Sequence, residues 1–211
     1  MFRNPSLLLR ALSALLSYPD AELRAAMPEI VEAINRSRAL NARQRAELVA
    51  LGEEIADSDA LEAEGRYVDL FDRGRRTSLN LFEHVHGDDR QRGPAMLELR
   101  QRYLDGGMEP VAKELPDHLP LLLEYLSCCK LAETRDTIAE MAHVLRQLGN
   151  TLQQRHSRYA SVMAALLALG GEKGLDAGAS PATAPPEDFD RSWEEQPAFA
   201  PPDAQNVDPT P

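Results

Sequence analysis

The stretch ELPDHLPLLLEYLSCCK, residues 114–130, sets two prolines, a carboxylate and a histidine directly ahead of a leucine-rich run. Pro116 biases Leu115 toward an extended backbone. Asp117 is a short acceptor suited to capping the helix that follows. Pro120 falls in a first turn, whose N–H groups lack helical partners in any case. Leu119, Leu122, Leu123 and Leu126 then recur at i, i+3, i+4 and i+7, one face of a helix, with Glu124 and Tyr125 beside them. His118, held at that helix start next to a carboxylate, is expected to favour its protonated form.

The same period extends along the chain in both directions. Leu and Ala dominate, Ile and Val are scarce, and no segment alternates apolar and polar residues for long. The fold class expected is therefore all-α. Asn4 and Pro5 open a first helix, with Leu7, Leu8, Leu12, Leu15 and Leu16 as its apolar stripe, and Tyr18 and Pro19 end it. Asp20 caps a second, which Pro28 interrupts or restarts. Asn41 caps a third, and Asp59, with Glu62 at capping-box spacing, opens a fourth that turns Leu61, Val68 and Phe71 inward. A short helix over 77–85 ends at Gly87. Pro94 begins another through Leu97 and Leu99, which Gly106 and Gly107 stop. One helix then carries Ile138, Met141, Ala142, Leu145 and Leu148, and a last one carries Leu152, Tyr159, Met163, Leu166 and Leu167.

After Gly170 and Gly171 the composition changes. Residues 171–211 hold eight of the 15 prolines, two basic residues and nine acidic ones. Such a segment cannot bury enough apolar area to offset its ordering entropy. We therefore expect one globular helical domain over 1–170 and a disordered, acidic, Pro-rich tail over 171–211. Within that tail, SWEEQPAF has the only tryptophan.

Charge and composition exclude several functions. A net charge of −11 and a pI near 4.9 disfavour binding to nucleic acid or an anionic membrane, which needs clustered Lys and Arg, and favour a basic partner. Cys128 and Cys129 are adjacent, so they form no disulfide framework and chelate poorly from a helix; they are expected to be small buried or half-buried residues. The N-terminal leucines resemble a signal peptide, but Arg10 interrupts them and no small-x-small cleavage site follows. No apolar run approaches the roughly 18 residues of a membrane span. A cytoplasmic protein is expected.

The stretch LFEHVHGDDR, residues 81–90, is the chief candidate for a metal or catalytic site. Two residues apart on a helix lie about 200° apart, so His84 and His86 cannot share one ion unless the helix ends between them. Glu83, Asp88, Asp89 or the distant His118 would have to complete the ligand set, and no spacing links them. The chain has no GxSxG, no phosphate-binding GxxxxGK[ST], no HExxH and no dinucleotide fingerprint. Arg73, Arg75 and Arg76, near Arg90 and Arg92, are a conceivable phosphate site, but Asp72, Glu83, Asp88 and Asp89 are close enough to make an ion-paired turn instead. No catalytic residue, metal or cofactor is expected, and a binding role is.

The block YVDLFDRGRRTSLNLFEHVHGDDRQRGPAMLEL, followed by ELPDHLPLLLEYL, resembles the nitrate reductase delta-subunit family, the NarJ-type assembly chaperones within the wider TorD-like group. The resemblance runs from about Leu7, through LLSYPDAEL, to the helix near residue 169, and faintly to SWEEQPAF. It implies an all-α TorD-like fold without catalysis. It also implies a partner: the apo catalytic (alpha) subunit of respiratory nitrate reductase, bound through its basic N-terminal peptide. That subunit would be held for molybdenum cofactor insertion before it docks at the membrane, and the chaperone would not stay in the final enzyme. A relative serving another molybdoenzyme is the alternative, with a His/Arg metal or nucleotide site behind it. The group's Glu-x-Pro-x-Asp-His signature falls on Glu114, Pro116, Asp117 and His118, with Pro and Asp adjacent here. From it we expect a groove lined by Leu119, Leu122 and Tyr125, rimmed by Glu114, Asp117 and Glu124, taking an amphipathic basic helix in a pH-sensitive way. Arg73, Phe82, Glu83, His84 and His86 are expected as second-rank contacts.

Overall fold

Short polar side chains set where the early helices begin. Asp20 accepts the Leu23 N–H at 2.8 Å and starts α2 (Ala21–Arg36). Asn41 and Gln44 exchange reciprocal bonds of 2.9 Å and start α3 (Ala42–Asp57). Asp59 accepts from the N–H groups of Leu61 and Glu62 and starts α4 (Ala60–Tyr67). Each cap satisfies amides that the first helical turn leaves without partners.

The computed structural model describes residues 6–85, 90–110 and 114–176. Asn4, Pro5, Gly87 and the tail from 177 onward, including SWEEQPAF, lie outside those residues. The remaining elements are α1 (Ser6–Leu15), a π-helical turn (Val68–Asp72), a 3₁₀ turn (Arg75–Thr77), α5 (Leu81–Val85), α6 (Arg92–Asp105), α7 (Leu119–Cys128), α8 (Leu131–Glu140), α9 (Ala142–Gln154) and α10 (Ala160–Gly170). No strand occurs among the described residues, only one isolated bridge between Asn80 and His118. The fold is all-α, as expected.

Three helices are apolar almost all round and therefore sit centrally. Helix α1 buries Leu8, Leu9, Leu12 and Leu15; α7 buries eight of its residues; α10 buries seven. Helix α1 packs on α7 and α2, α2 packs on α3, and α10 lies against α9, α8 and α3. The Ser13 hydroxyl donates to the Pro120 carbonyl at 2.8 Å and ties α1 to the start of α7. Tyr67, Phe71 and Tyr159 form an aromatic cluster, with Tyr67–Phe71 and Phe71–Tyr159 centroids 4.9 and 5.0 Å apart. The π-helical turn is what brings Phe71 into it.

Several expectations change. Helix α2 continues through Pro28, an exposed position whose missing N–H costs the helix one bond without ending it. Helix α6 begins two residues before Pro94. The helix expected through Ile138 and Leu148 is two, broken at Met141 (φ −90, ψ 0). Leu152 belongs to α9 and not to the last helix, because His156 takes a positive φ of 55 between them. Leu7 and Leu61 point outward, Leu61 being 79% exposed, since Ala63 and Tyr67 supply the buried side of α4. Cys128 is exposed and Cys129 half-buried, both as free thiols.

Candidate functional site

The segment ahead of α7 is fixed by pairing with the chain ahead of α5. The Leu119 N–H donates to the Leu79 carbonyl at 2.9 Å, and the Leu81 N–H donates to the Asp117 carbonyl at 3.1 Å. This pairing turns the Asp117 side chain toward α5, where Oδ2 accepts the Phe82 N–H at 2.8 Å. Asp117 therefore caps α5 and not α7, which corrects the sequence reading; the N-cap of α7 is His118, with no side-chain cap bond. The Asp117 carboxylate is fully buried, and its Oδ1 has no hydrogen-bond partner among the described residues. Burial pushes its pKa above the ordinary carboxylate value, against the Phe82 N–H and the charge of Arg92.

The same segment also borders a cavity of about 400 Å³. Ser17 and Tyr18 enter it from the end of α1, Tyr67 and Asp72 from the end of α4 and the π-helical turn. Glu114, His118, Pro120, Leu121 and Glu124 enter from the approach to α7 and its first turns. Pro120, Leu121 and the two tyrosines supply an apolar lining, and Asp72, Glu114 and Glu124 are exposed carboxylates at it. Tyr67 is held by its hydroxyl, which donates to the Leu16 carbonyl at 2.9 Å, and Tyr18 donates to Glu64 at 3.0 Å. His118 is half-buried here. Burial lowers its pKa, with Glu114 and Asp72 opposing, so the imidazole favours its neutral form, contrary to the sequence expectation.

The expected lining needs revision as well. Glu114, His118 and Glu124 come together at the cavity, but Leu119, Leu122, Tyr125 and Asp117 do not line it. The two leucines and Tyr125 are 0, 2 and 5% exposed, because α7 is central and turns those positions into the core. Leu121 faces the cavity in their place. Pro116 contributes its carbonyl, which accepts the Tyr103 hydroxyl at 2.6 Å on the side of α6. Tyr18, Tyr67, Asp72 and Leu121 are the cavity residues that spacing could not single out, since nothing local relates SYPD and YVDLFD to residue 118.

Phe82, Glu83 and His84 belong to α5, Arg73 follows the π-helical turn, and none of these four lines the cavity. His84 Nε2 lies 2.8 Å from the Ser78 carbonyl. Glu83 accepts from Asn80 and Arg92, each at 3.4 Å; burial would raise its pKa, but Ser78, Asn80 and Arg92 together lower it. Arg73 pairs with Asp69 at 2.8 Å on the surface, and Phe82 packs partly buried against the core. His86, Asp88 and Asp89 lie outside the described residues. Among the described residues, no three His, Cys, Asp or Glu side chains converge so as to hold a metal ion. No helix among them is long and apolar enough to cross a membrane.

The family model described as nitrate reductase delta subunit matches residues 18–165, a span that contains every cavity residue but Ser17. The chain belongs to the nitrate reductase delta-subunit family. Within it, the chain is 45% identical over 157 residues to the nitrate reductase molybdenum cofactor assembly chaperone NarJ of Escherichia coli K12. That alignment covers 74% of this chain and 66% of the relative, just under two thirds of its length. The probable nitrate reductase molybdenum cofactor assembly chaperone NarJ of Bacillus subtilis 168 is 34% identical over 158 residues, covering 75% of this chain and 85% of that one. The delta-subunit fold itself also appears in the crystal structure of a putative redox enzyme maturation protein from Archaeoglobus fulgidus. The TM-score is 0.56 at 18% identity, over 79% of this chain and 93% of the other.

Proposed function

We propose that the chain is a cytoplasmic, non-catalytic assembly chaperone. It binds the apo catalytic subunit of respiratory nitrate reductase through that subunit's basic N-terminal peptide. It holds the subunit for molybdenum cofactor insertion before membrane docking and does not remain in the finished enzyme. Family membership and the names of the relatives above support the chaperone role. The observation that carries the peptide mode is the cavity, where Asp72, Glu114 and Glu124 surround Tyr18, Tyr67, Pro120 and Leu121. An amphipathic helix would place apolar side chains on that lining and its Lys or Arg side chains against the carboxylates. Leu119, Leu122 and Tyr125 then support the site from beneath, and Asp117 fixes its backbone.

Calorimetric titration with the N-terminal peptide of the cognate catalytic subunit tests this reading. One saturable site is expected, weakened when Glu114 and Glu124 are both changed to Gln. Absence of binding to a soluble peptide would overturn the peptide mode. Binding of another molybdoenzyme's leader peptide in its place would reassign the client.

A further inference from the structure

Residues 114–116 bring Glu114 to the cavity in a bend that leads into a turn, yet very little holds them. Among the described residues they make two hydrogen bonds. One is internal to the turn, from the His118 N–H to the Leu115 carbonyl at 3.0 Å. The other comes from outside, from the Tyr103 hydroxyl to the Pro116 carbonyl at 2.6 Å. Pro116 has no N–H of its own to offer a second anchor, and Leu115 is exposed.

Tyr103 is built for that contact. It is fully buried, whereas the rest of α6 is half-exposed or exposed, with Leu97 at 70%. Its ring packs on Tyr125 of α7 with centroids 4.9 Å apart. Tyr125 in turn reaches Glu133 of α8 at 3.3 Å. Gly106, just beyond α6, leaves room for this stack, since a Cβ there would lie 2.6 Å from Tyr125 Cε2. The hydroxyl of Tyr103 is thus delivered by an aromatic pair to the Pro116 carbonyl, and its burial raises its pKa, so it stays a donor at neutral pH.

We infer that Tyr103 is the positioning residue of the candidate site: its hydroxyl pins the Pro116 carbonyl and so holds Glu114 and His118 toward the cavity. The inference rests on the peptide-binding reading for its functional consequence, but not for its structural one. Tyr103 thereby links α6 both to the core, through Tyr125, and to the segment that carries Glu114.

Tyr103→Phe tests it, because the ring and its packing on Tyr125 stay while the hydroxyl goes. Thr134→Val is the matched control: it removes another buried hydroxyl, which donates to the Leu126 carbonyl at 3.1 Å, away from 114–118. Hydrogen exchange of the His118 amide, which is bonded within this turn, should quicken several-fold in Tyr103→Phe and stay at the wild-type rate in Thr134→Val. The affinity for the basic N-terminal peptide should fall about threefold to tenfold in the first variant only, the range one hydrogen bond supports. The His118 imidazole titration, followed by NMR, should move only there as well. Wild-type exchange of the His118 amide in Tyr103→Phe overturns the positioning role, whatever the peptide does. Faster exchange with no peptide binding, even by the unaltered protein, leaves the positioning role standing and removes the peptide reading.

Discussion

Asp117 Oδ2 accepts the backbone N–H of Phe82 at 2.8 Å, across 35 residues of sequence, while Asp117 Oδ1 is buried with no partner among the described residues. One carboxylate thus caps α5 and positions the approach to α7, at the expense of desolvating its charge. Asp117→Ala removes the carboxylate that accepts the Phe82 N–H and opens a void, so it should cost about 1–3 kcal/mol of stability in chemical denaturation. Asp117→Asn keeps an acceptor for Phe82 and should cost less. The sign with pH follows from the raised pKa: the folded state holds the proton more tightly than the unfolded chain. Stability from this group therefore falls as pH rises from its ordinary value toward its raised folded one. Asp117→Asn should lack that fall, which a pair of denaturation series over pH 4 to 7 would show (roughly the window of an upshifted carboxylate).

The caps at Asp20, Asn41 and Asp59 were legible because a cap is chemistry between residues two or three apart. The all-α class was legible because apolar spacing repeats along most of the chain. The break at Met141 was not, since Ile138, Met141, Ala142 and Leu145 keep a helical period across it. Asp117 was misread for a related reason: its place just ahead of a helix invites a local cap, and only the bridge between Asn80 and His118 redirects it. The carboxylates Glu114 and Glu124 were legible as a pair flanking one helix start, but Asp72, Tyr18 and Tyr67 join them through packing alone.

The exposed carboxylates at the cavity predict how a basic peptide would respond to salt. Replacing Glu114 or Glu124 by Gln should weaken peptide binding by roughly twofold to fivefold each, the scale of solvent-screened pairs. Both changes together should flatten the dependence of affinity on ionic strength. Neither should shift the melting temperature, because neither side chain has a hydrogen bond to lose among the described residues. Titrations at two salt concentrations for wild type and the double variant decide it; equal salt slopes would place the peptide elsewhere.

His118 sets a pH window of its own. Its pKa lies below the ordinary 6.5 in the folded state, chiefly through burial. The unfolded chain then takes the proton first, so stability falls as pH drops through that ordinary value, and His118→Gln should soften the fall. Protonated His118 also repels an incoming Lys or Arg, so peptide affinity should be higher at about pH 7.5 than at about pH 5, on either side of the ordinary imidazole value. Asp72, Glu114 and Glu124 face the same cavity, and the His118→Gln profile is the baseline that separates the imidazole from them. An identical pH profile in wild type and His118→Gln would show that the imidazole takes no part.

Arg24 predicts a loss of stability with binding intact. Its guanidinium donates to the carbonyls of Ile55 and Ala56, each at 3.1 Å, and to that of Ser58. These are carbonyls of the last turn of α3 and its cap, which lack helical partners, so α2 closes the end of α3 by one planar fork. Arg24→Met keeps the aliphatic stem and removes the donors, and should cost about 1–3 kcal/mol because part-buried carbonyls lose their partners. Arg24→Lys should recover only part, since one ammonium cannot reach three carbonyls in a fixed plane. The cavity receives no residue from α2 or α3. Peptide affinity in folded Arg24→Met should therefore match wild type, and a parallel loss of affinity would show that the end of α3 and the peptide site are coupled.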